Sequence, residues 1–287
     1  MARSSLDLSD RAVLRPLAEL LAAVRAAAGK MALLLIGAAA RDLLLVHAHG
    51  HNPERATEDT DLGLAVGSWE DFQRLREALL ASGEFTAEGP PHRLWRGDQR
   101  LDIVPFGGVE RSDRSIAWPT EGAEVMTVAG LSEALAAAVA VALPGDVSID
   151  VAPLPALALL KIWAWKDRSY TAPGKDASDI WMFLRHYADA GNQDRLFGEE
   201  SEALAAYAFD LDEAGAWLLG KDAREVLAQG SDLRRSLESL DAILKPEIDP
   251  DGALRLVAQM PVGQRDRQVA LLTAFYGGLF ETSLSRA

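Results

Sequence analysis

Near residue 145 the hydrophobic rhythm of the chain changes, and with it the kind of structure the chain can build. Upstream, apolar runs of strand length alternate with helical stretches. Downstream, apolar residues recur only at helical spacing. Met31–Ile36 is a short apolar run closed by Gly37 and reads as a buried strand, and Asp61–Val66 reads as a second. Glu84–Glu88, Arg93–Arg96 and Arg100–Pro105, separated by Gly-Pro-Pro and Gly-Asp turns, read as a meander. Helices are expected over Asp10–Ala28, between a Ser9 cap and a Gly29 stop, over Ala38–Val46, and over Trp69–Ala81 behind a Ser68 cap. Leu131–Leu143 is alanine-heavy and reads as a buried helix, and Val147–Val151 as one more strand. Beyond it come Leu154–Lys166, Lys175–Ala190 and further helices to Leu284, punctuated by Gly215, Gly220, Pro246 and Pro261. The expected fold class is therefore α/β (α+β): a small mixed sheet with helices on one face over residues 1–148, followed by a helical domain over 149–287.

Bulk composition narrows the function without naming it. Hydrophobic residues make up 49% of 287, enough for one large core or two ordinary ones. A net charge of −14 argues against broad adhesion to phosphate backbones or anionic membranes, while leaving room for a local basic cleft. With no cysteine, disulfides and thiolate metal sites are excluded. Met1–Asp10 has no signal-type apolar run, and the most apolar stretches are too short to span a bilayer, so no membrane association and a cytoplasmic location are expected.

The segment Arg55-Ala-Thr57-Glu-Asp59-Thr-Asp61-Leu62 carries the chemistry. Two aspartates two positions apart at the start of a strand point to the same side of the sheet. Asp102, in Leu101-Asp-Ile-Val104, lies in a predicted strand among apolar neighbours, where an acid is costly unless paired or bound to a cation. Three converging carboxylates repel one another, and Mg²⁺ would relieve that repulsion. The blander reading makes Asp59 a turn residue and Asp102 a solvent-side strand acid. Against it stands Ile36-Gly37-Ala-Ala-Ala-Arg41-Asp42-Leu-Leu: a glycine between strand and helix lets a phosphate approach free backbone N–H groups at the helix start.

In this order the motifs resemble those of the DNA-polymerase-β-like nucleotidyltransferase superfamily. Gly37–Leu45 is similar to its Gly-Gly-x-x-Arg-Asp-x-Leu-Leu segment, and Arg55-x-Thr57-x-Asp59-x-Asp61 to its Arg-x-Thr-x-Asp-hydrophobic-Asp segment. Lys161, in Leu159-Leu-Lys-Ile-Trp-Ala-Trp-Lys-Asp-Arg168, and the following Lys175-Asp176-x-x-Asp179 resemble later motifs of the AbiEii-type toxins of abortive-infection and toxin–antitoxin systems. The resemblance spans roughly residues 33 to 190. It departs at Ala38, where many members carry Gly or Ser, at Thr60, which replaces an apolar residue, and in the long interval between Gly37 and Asp59.

The resemblance implies a nucleotidyltransferase domain with two Mg²⁺ ions on Asp59, Asp61 and Asp102, and a nucleoside triphosphate substrate with ATP among the candidates. It also implies catalytic roles for Lys161 and Asp179 and nucleotide contacts from Gly37, Ala38, Arg41, Thr57, Lys175 and Asp176. The acceptor would be a hydroxyl, such as a tRNA 3′ end, and the partner a cognate antitoxin protein. From pattern alone Lys161 is a lysine snorkelling from a helix flank; the resemblance makes it a counter-charge to triphosphate. Lys175, Asp176 and Asp179 also suit an ordinary helix start, and either acid matches the last motif. Arg41 pairs with Asp42 or another acid, or contacts phosphate. The alternating His47, His49 and His51 lie in a glycine- and proline-containing loop with no fourth ligand nearby, which favours a loop over a zinc site. Trp163, Trp165, Trp181 and Phe183 are expected in the core. Two further readings stand beside an RNA-modifying toxin: nucleotidylation of a cationic small molecule such as an aminoglycoside, which the acidic balance favours, and a non-catalytic nucleotide-binding module.

Overall fold

The computed structural model describes residues 4–52, 59–119 and 125–280. The chain divides between Pro153 and Leu154 into two compact units. In the first, the strands in chain order are β1 (Ser5–Asp7), β2 (Leu33–Ile36), β3 (Asp59–Val66), β4 (Arg93–Arg96), β5 (Gln99–Gly107), β6 (Ser115–Ala117), β7 (Val125–Thr127), β8 (Val139–Leu143) and β9 (Val147–Val151). Seven of them form one mixed sheet in the order β1-β8-β9-β2-β3-β5-β4, and β6 and β7 pair separately.

The centre of the sheet follows from its side chains. Leu33, Leu34 and Leu35 of β2 are all fully buried, so both faces of that strand are covered. In β3, Leu62, Leu64 and Val66 point to one buried face, which leaves Asp59 and Asp61 on the other. Strands β3 and β5 run parallel, and the connection between them carries α3 (Trp69–Ala81). Its start is set by a capping box: Ser68 and Asp71 each accept from the other's backbone N–H, and Asp71 also accepts from Gly67 N at 2.9 Å. That is the Ser68 cap read from sequence.

Several elements differ from expectation. Leu131–Leu143 is not one helix. Leu131–Ala136 is helical, but Val139–Leu143 is β8, paired with β9 on one side and β1 on the other. The Val-Ala-Val-Ala-Leu alternation and two available partners override the helix preference of alanine. Glu84–Glu88 retains only a bridge between Thr86 and Trp95. The first expected helix begins later, at Arg15, after a short 3-10 turn over Ala12–Leu14. Ala38–Val46 is an α-helix only over Gly37–Arg41, and continues as a π-helical turn over Asp42–His47. The sheet is thus larger than the small one expected, because β1 and β8 join it.

From Leu154 onward the described residues form helices and no strands. The helix over Leu154–Arg168 is apolar almost all round, with Leu157, Leu159, Ile162, Trp163 and Trp165 buried. The helix over Lys175–His186 buries Ile180, Trp181, Met182 and Phe183. All four aromatics expected in the core are there. Trp163 donates to Ser239 Oγ at 3.1 Å and Trp165 to Gln259 Oε1 at 2.9 Å, so both buried indole N–H groups are satisfied.

Candidate active site

Strand direction brings the site together. Because β2 is antiparallel to β3, its last residue, Ile36, sits opposite Asp61, and the chain then turns at Gly37 beside that carboxylate. Because β5 is parallel to β3, their early residues lie side by side: Asp59 opposite Arg100, and Asp61 opposite Asp102. One ligand oxygen from each of Asp59, Asp61 and Asp102 lies within 4.8 Å of the others. Asp59 and Asp102 are buried, each 7% exposed. The three acids singled out in the sequence therefore converge.

Gly37 has φ +69°, a region open to glycine, and the space where a Cβ would stand is filled by the Asp61 carboxylate, with Cγ at 2.9 Å. The glycine read from sequence as a phosphate approach is also what lets Asp61 fold back over the turn. Ala38 is buried and brings no polar atom. Arg41 is 2% exposed and its guanidinium is held by Asp42, with Nε to Oδ1 at 2.8 Å, so of the two roles left open for it the structure contains the ion pair. Thr57, and Arg55 with it, lie outside the described residues.

Two arginines were not singled out as site residues. Arg93 lies directly across from Asp102 in the hairpin of β4 and β5, and grips it with two bonds, Nε to Oδ1 at 2.8 Å and Nη2 to Oδ2 at 2.9 Å. This pairing raises the pKa of Arg93, with the bond to Asp102 the main cause. Arg100 is bonded to Asp59, and its Nε is 3.9 Å from Asp102. The signal for Arg93 was in the sequence. A two-residue Gly97-Asp98 turn pairs Arg96 with Gln99, and three rungs further along the hairpin Arg93 faces Asp102.

The donor set fits a hard divalent cation: carboxylate oxygens only, two of the three side chains buried. Octahedral Mg²⁺, with bonds of about 2.1 Å, holds adjacent ligands about 3.0 Å and opposite ligands about 4.2 Å apart, so oxygens within 4.8 Å of one another would draw together to share an ion.

The second group of expected residues gathers inside the helical unit. Lys161 is 7% exposed, and its ammonium lies 3.1 Å from Asp176 Oδ1 and 2.6 Å from Asp179 Oδ2. It does not snorkel. Burial alone would lower its pKa, and the two carboxylates outweigh that and leave it raised. Arg168 adds a two-pronged grip on Asp176, at 2.7 Å for each prong. Burial would raise the pKa of Asp176, yet Arg168 and Lys161 hold it below the ordinary carboxylate value. Lys175 opens its helix, with Gly174 before it at φ +81°. His47 and His49 have pKa values lowered chiefly by burial. The acidic triad is the one candidate metal-binding group among the described residues, and no described helix is long and apolar enough to cross a membrane.

Residues 19–270 match the family model described as nucleotidyl transferase AbiEii toxin, type IV toxin–antitoxin system. No curated protein matches. Among solved structures, the chain is similar to one titled "Solution Structure of Antibiotic-Resistance Factor ANT(2'')-Ia Reveals Substrate-Regulated Conformation Dynamics", at 16% identity and a TM-score of 0.39, over 67% of this chain and 97% of that one. The match to the family model takes in both units of the chain, and the chain belongs to the AbiEii nucleotidyltransferase toxin family.

Proposed function

We propose that this enzyme moves a nucleotidyl group from a nucleoside triphosphate to the 3′ hydroxyl of an RNA, with a tRNA end as the favoured acceptor, and that Asp59, Asp61 and Asp102 hold the Mg²⁺ ions the reaction uses. The observation that carries the reading is the convergence of three carboxylate oxygens within 4.8 Å, on a largely buried face beside the Gly37 turn. In the reaction the acceptor oxygen bonds to the α-phosphorus, the bond to the departing pyrophosphate breaks, and the hydroxyl proton passes to a carboxylate of the triad. Bound there, divalent ions would supply charge neutralisation for the attacking and leaving oxygens. Gly37, Ala38, Arg41 and Thr57 are assigned to the nucleotide, with the bare glycine turn leaving room for phosphate. Lys161, Lys175, Asp176 and Asp179 follow the family motifs: Lys161 offsets triphosphate charge, and the two acids fix its ammonium. A cognate antitoxin is the expected protein partner.

A second reading rests on the net charge of −14, which would attract a cationic small molecule such as an aminoglycoside and repel a polynucleotide. One experiment separates the two. Wild type and Asp59→Asn are incubated with Mg²⁺ and each of four α-labelled nucleoside triphosphates, with either deproteinised total RNA or an aminoglycoside panel as acceptor. Label in a tRNA-sized band from wild type alone supports the proposal. Label on the drug alone moves the function to the second reading, and label on neither acceptor refutes both.

A further inference from the structure

The acids of the candidate metal site do not wait for a cation from solution, because the chain supplies its own. Arg93 spans both oxygens of Asp102, and Arg100 is bonded to Asp59 while lying 3.9 Å from Asp102. Both pairs are built into sheet register: Arg93 is the cross-strand partner of Asp102, and Arg100 that of Asp59. The arginine side chains are only 28% and 23% exposed, so water screens these pairs weakly. Three carboxylates and two guanidiniums leave these five side chains with a net charge of −1. A divalent cation entering alone would invert that sign and meet two fixed positive charges at close range. A divalent cation entering with a polyphosphate would not, because the phosphates give the displaced guanidiniums new planar, doubly accepting partners.

We infer that Arg93 and Arg100 are resident counter-cations that hold the acidic triad closed to free metal, and that they pass to the triphosphate when metal and nucleotide bind together. The inference rests on the metal-site reading above. It makes the two ligands interdependent: each binds poorly without the other, and the coupling is reciprocal. It also gives the arginines a positioning role beyond the strength of the sheet.

The test measures Mn²⁺ binding by electron paramagnetic resonance, with and without α,β-methylene-ATP, for wild type, Arg93→Gln, Arg100→Gln, Arg93→Lys and Asp102→Asn. Near-UV circular dichroism checks that each variant is folded. Wild type is expected to bind Mn²⁺ weakly, and at least about tenfold more tightly once the analogue is present. Arg93→Gln and Arg100→Gln should each bind Mn²⁺ alone about tenfold more tightly than wild type, and gain less from the analogue. Arg93→Lys, which keeps the charge, should stay near wild type. A residue that merely braced the sheet would weaken metal binding when removed, so tightening is the discriminating result. If neither glutamine variant tightens Mn²⁺ binding while Asp102→Asn abolishes it, this inference falls and the metal site stands. If Asp102→Asn binds Mn²⁺ as wild type does, both fall. Should Arg93→Gln not fold, Arg100→Gln decides alone.

Discussion

Replacing Gly37 by alanine should disable the site far more than it unsettles the fold. A Cβ at this position would lie 2.9 Å from Asp61 Cγ and 3.0 Å from Asp61 Cβ, and closer still to Oδ2. Carbon–carbon contacts settle at about 3.5–4.0 Å, so the Asp61 side chain must retreat by roughly 0.5–1 Å. The backbone adds a cost of its own. An L-residue in a left-handed conformation such as φ +69° loses about 1–2 kcal/mol, and the stiffer unfolded chain returns about 0.4–1 kcal/mol. Forcing Asp61 off its rotamer adds about 0.5–1.5 kcal/mol. The net destabilisation is then about 0.5–3 kcal/mol. A reacting group displaced by about 1 Å can cost about 100-fold in rate, and that is the expected loss of turnover. Gly29→Ala is the clash-free control: its backbone, at φ +58° and ψ −114°, is also one that favours glycine, but nothing lies within 4 Å of the added carbon, so it carries a backbone cost of its own without touching Asp61. Urea unfolding and labelled-nucleotide transfer, measured on both variants, give the comparison. If Gly37→Ala transfers label as fast as Gly29→Ala, Asp61 does not depend on the open space at Gly37 and the reasoning is wrong.

Asp59→Asn should abolish nucleotidyl transfer while leaving the far-UV spectrum unchanged, because the swap is nearly isosteric and removes only the anionic oxygen; retained turnover would exclude Asp59 as a metal ligand. Lys161→Met should cost about 3–5 kcal/mol in urea unfolding, since it removes the buried ammonium that lies against two carboxylates only 2% and 4% exposed. Adding Asp179→Asn should recover part of that loss, and additive costs would show that the two residues do not interact. Arg267, bonded to Asp210, Asp212 and Glu213, holds the Asp210 carboxyl below its usual range. A depressed folded pKa stabilises at pH values above the unfolded value, and that contribution disappears as pH falls through the lower, folded one. Arg267→Gln should therefore cost about 1 kcal/mol at neutral pH, discounted for partial exposure, and the difference from wild type should vanish in acid. A gap that persists in acid would assign the effect to packing.

What the sequence disclosed was local. Ser68 announces a helix start, and the alternation around Asp61 fixes which side chains share a face. These signals need no partner strand to interpret them. Strand β8 stayed hidden because Ala-rich composition favours helix, and the pairing that overrides it comes from β9 just after it and from β1, more than 130 positions earlier. The order of strands across the sheet is likewise a long-range property. Asp59, Asp61 and Asp102 were identifiable because acids among apolar strand residues need an explanation. Arg93 and Arg100 were overlooked because arginine near a strand end needs no explanation; counting out the hairpin register sets Arg93 against Asp102, but Arg100 meets Asp59 only through the long-range parallel pairing of β3 and β5.

The parallel pairing of β3 and β5 also sets an order of assembly. Asp59 and Asp61 leave the ribosome well before Asp102, and the strand carrying Asp102 can take its place only after α3 has crossed over the sheet. Parallel strands joined through such a crossover form late, because chain entropy is lost before their contacts repay it. A growing chain that stops short of β5 therefore carries Asp59, Asp61 and Arg93, but neither Asp102 nor Arg100. The three acids therefore come together only after the crossover has closed, and whatever slows its closure delays assembly of the centre.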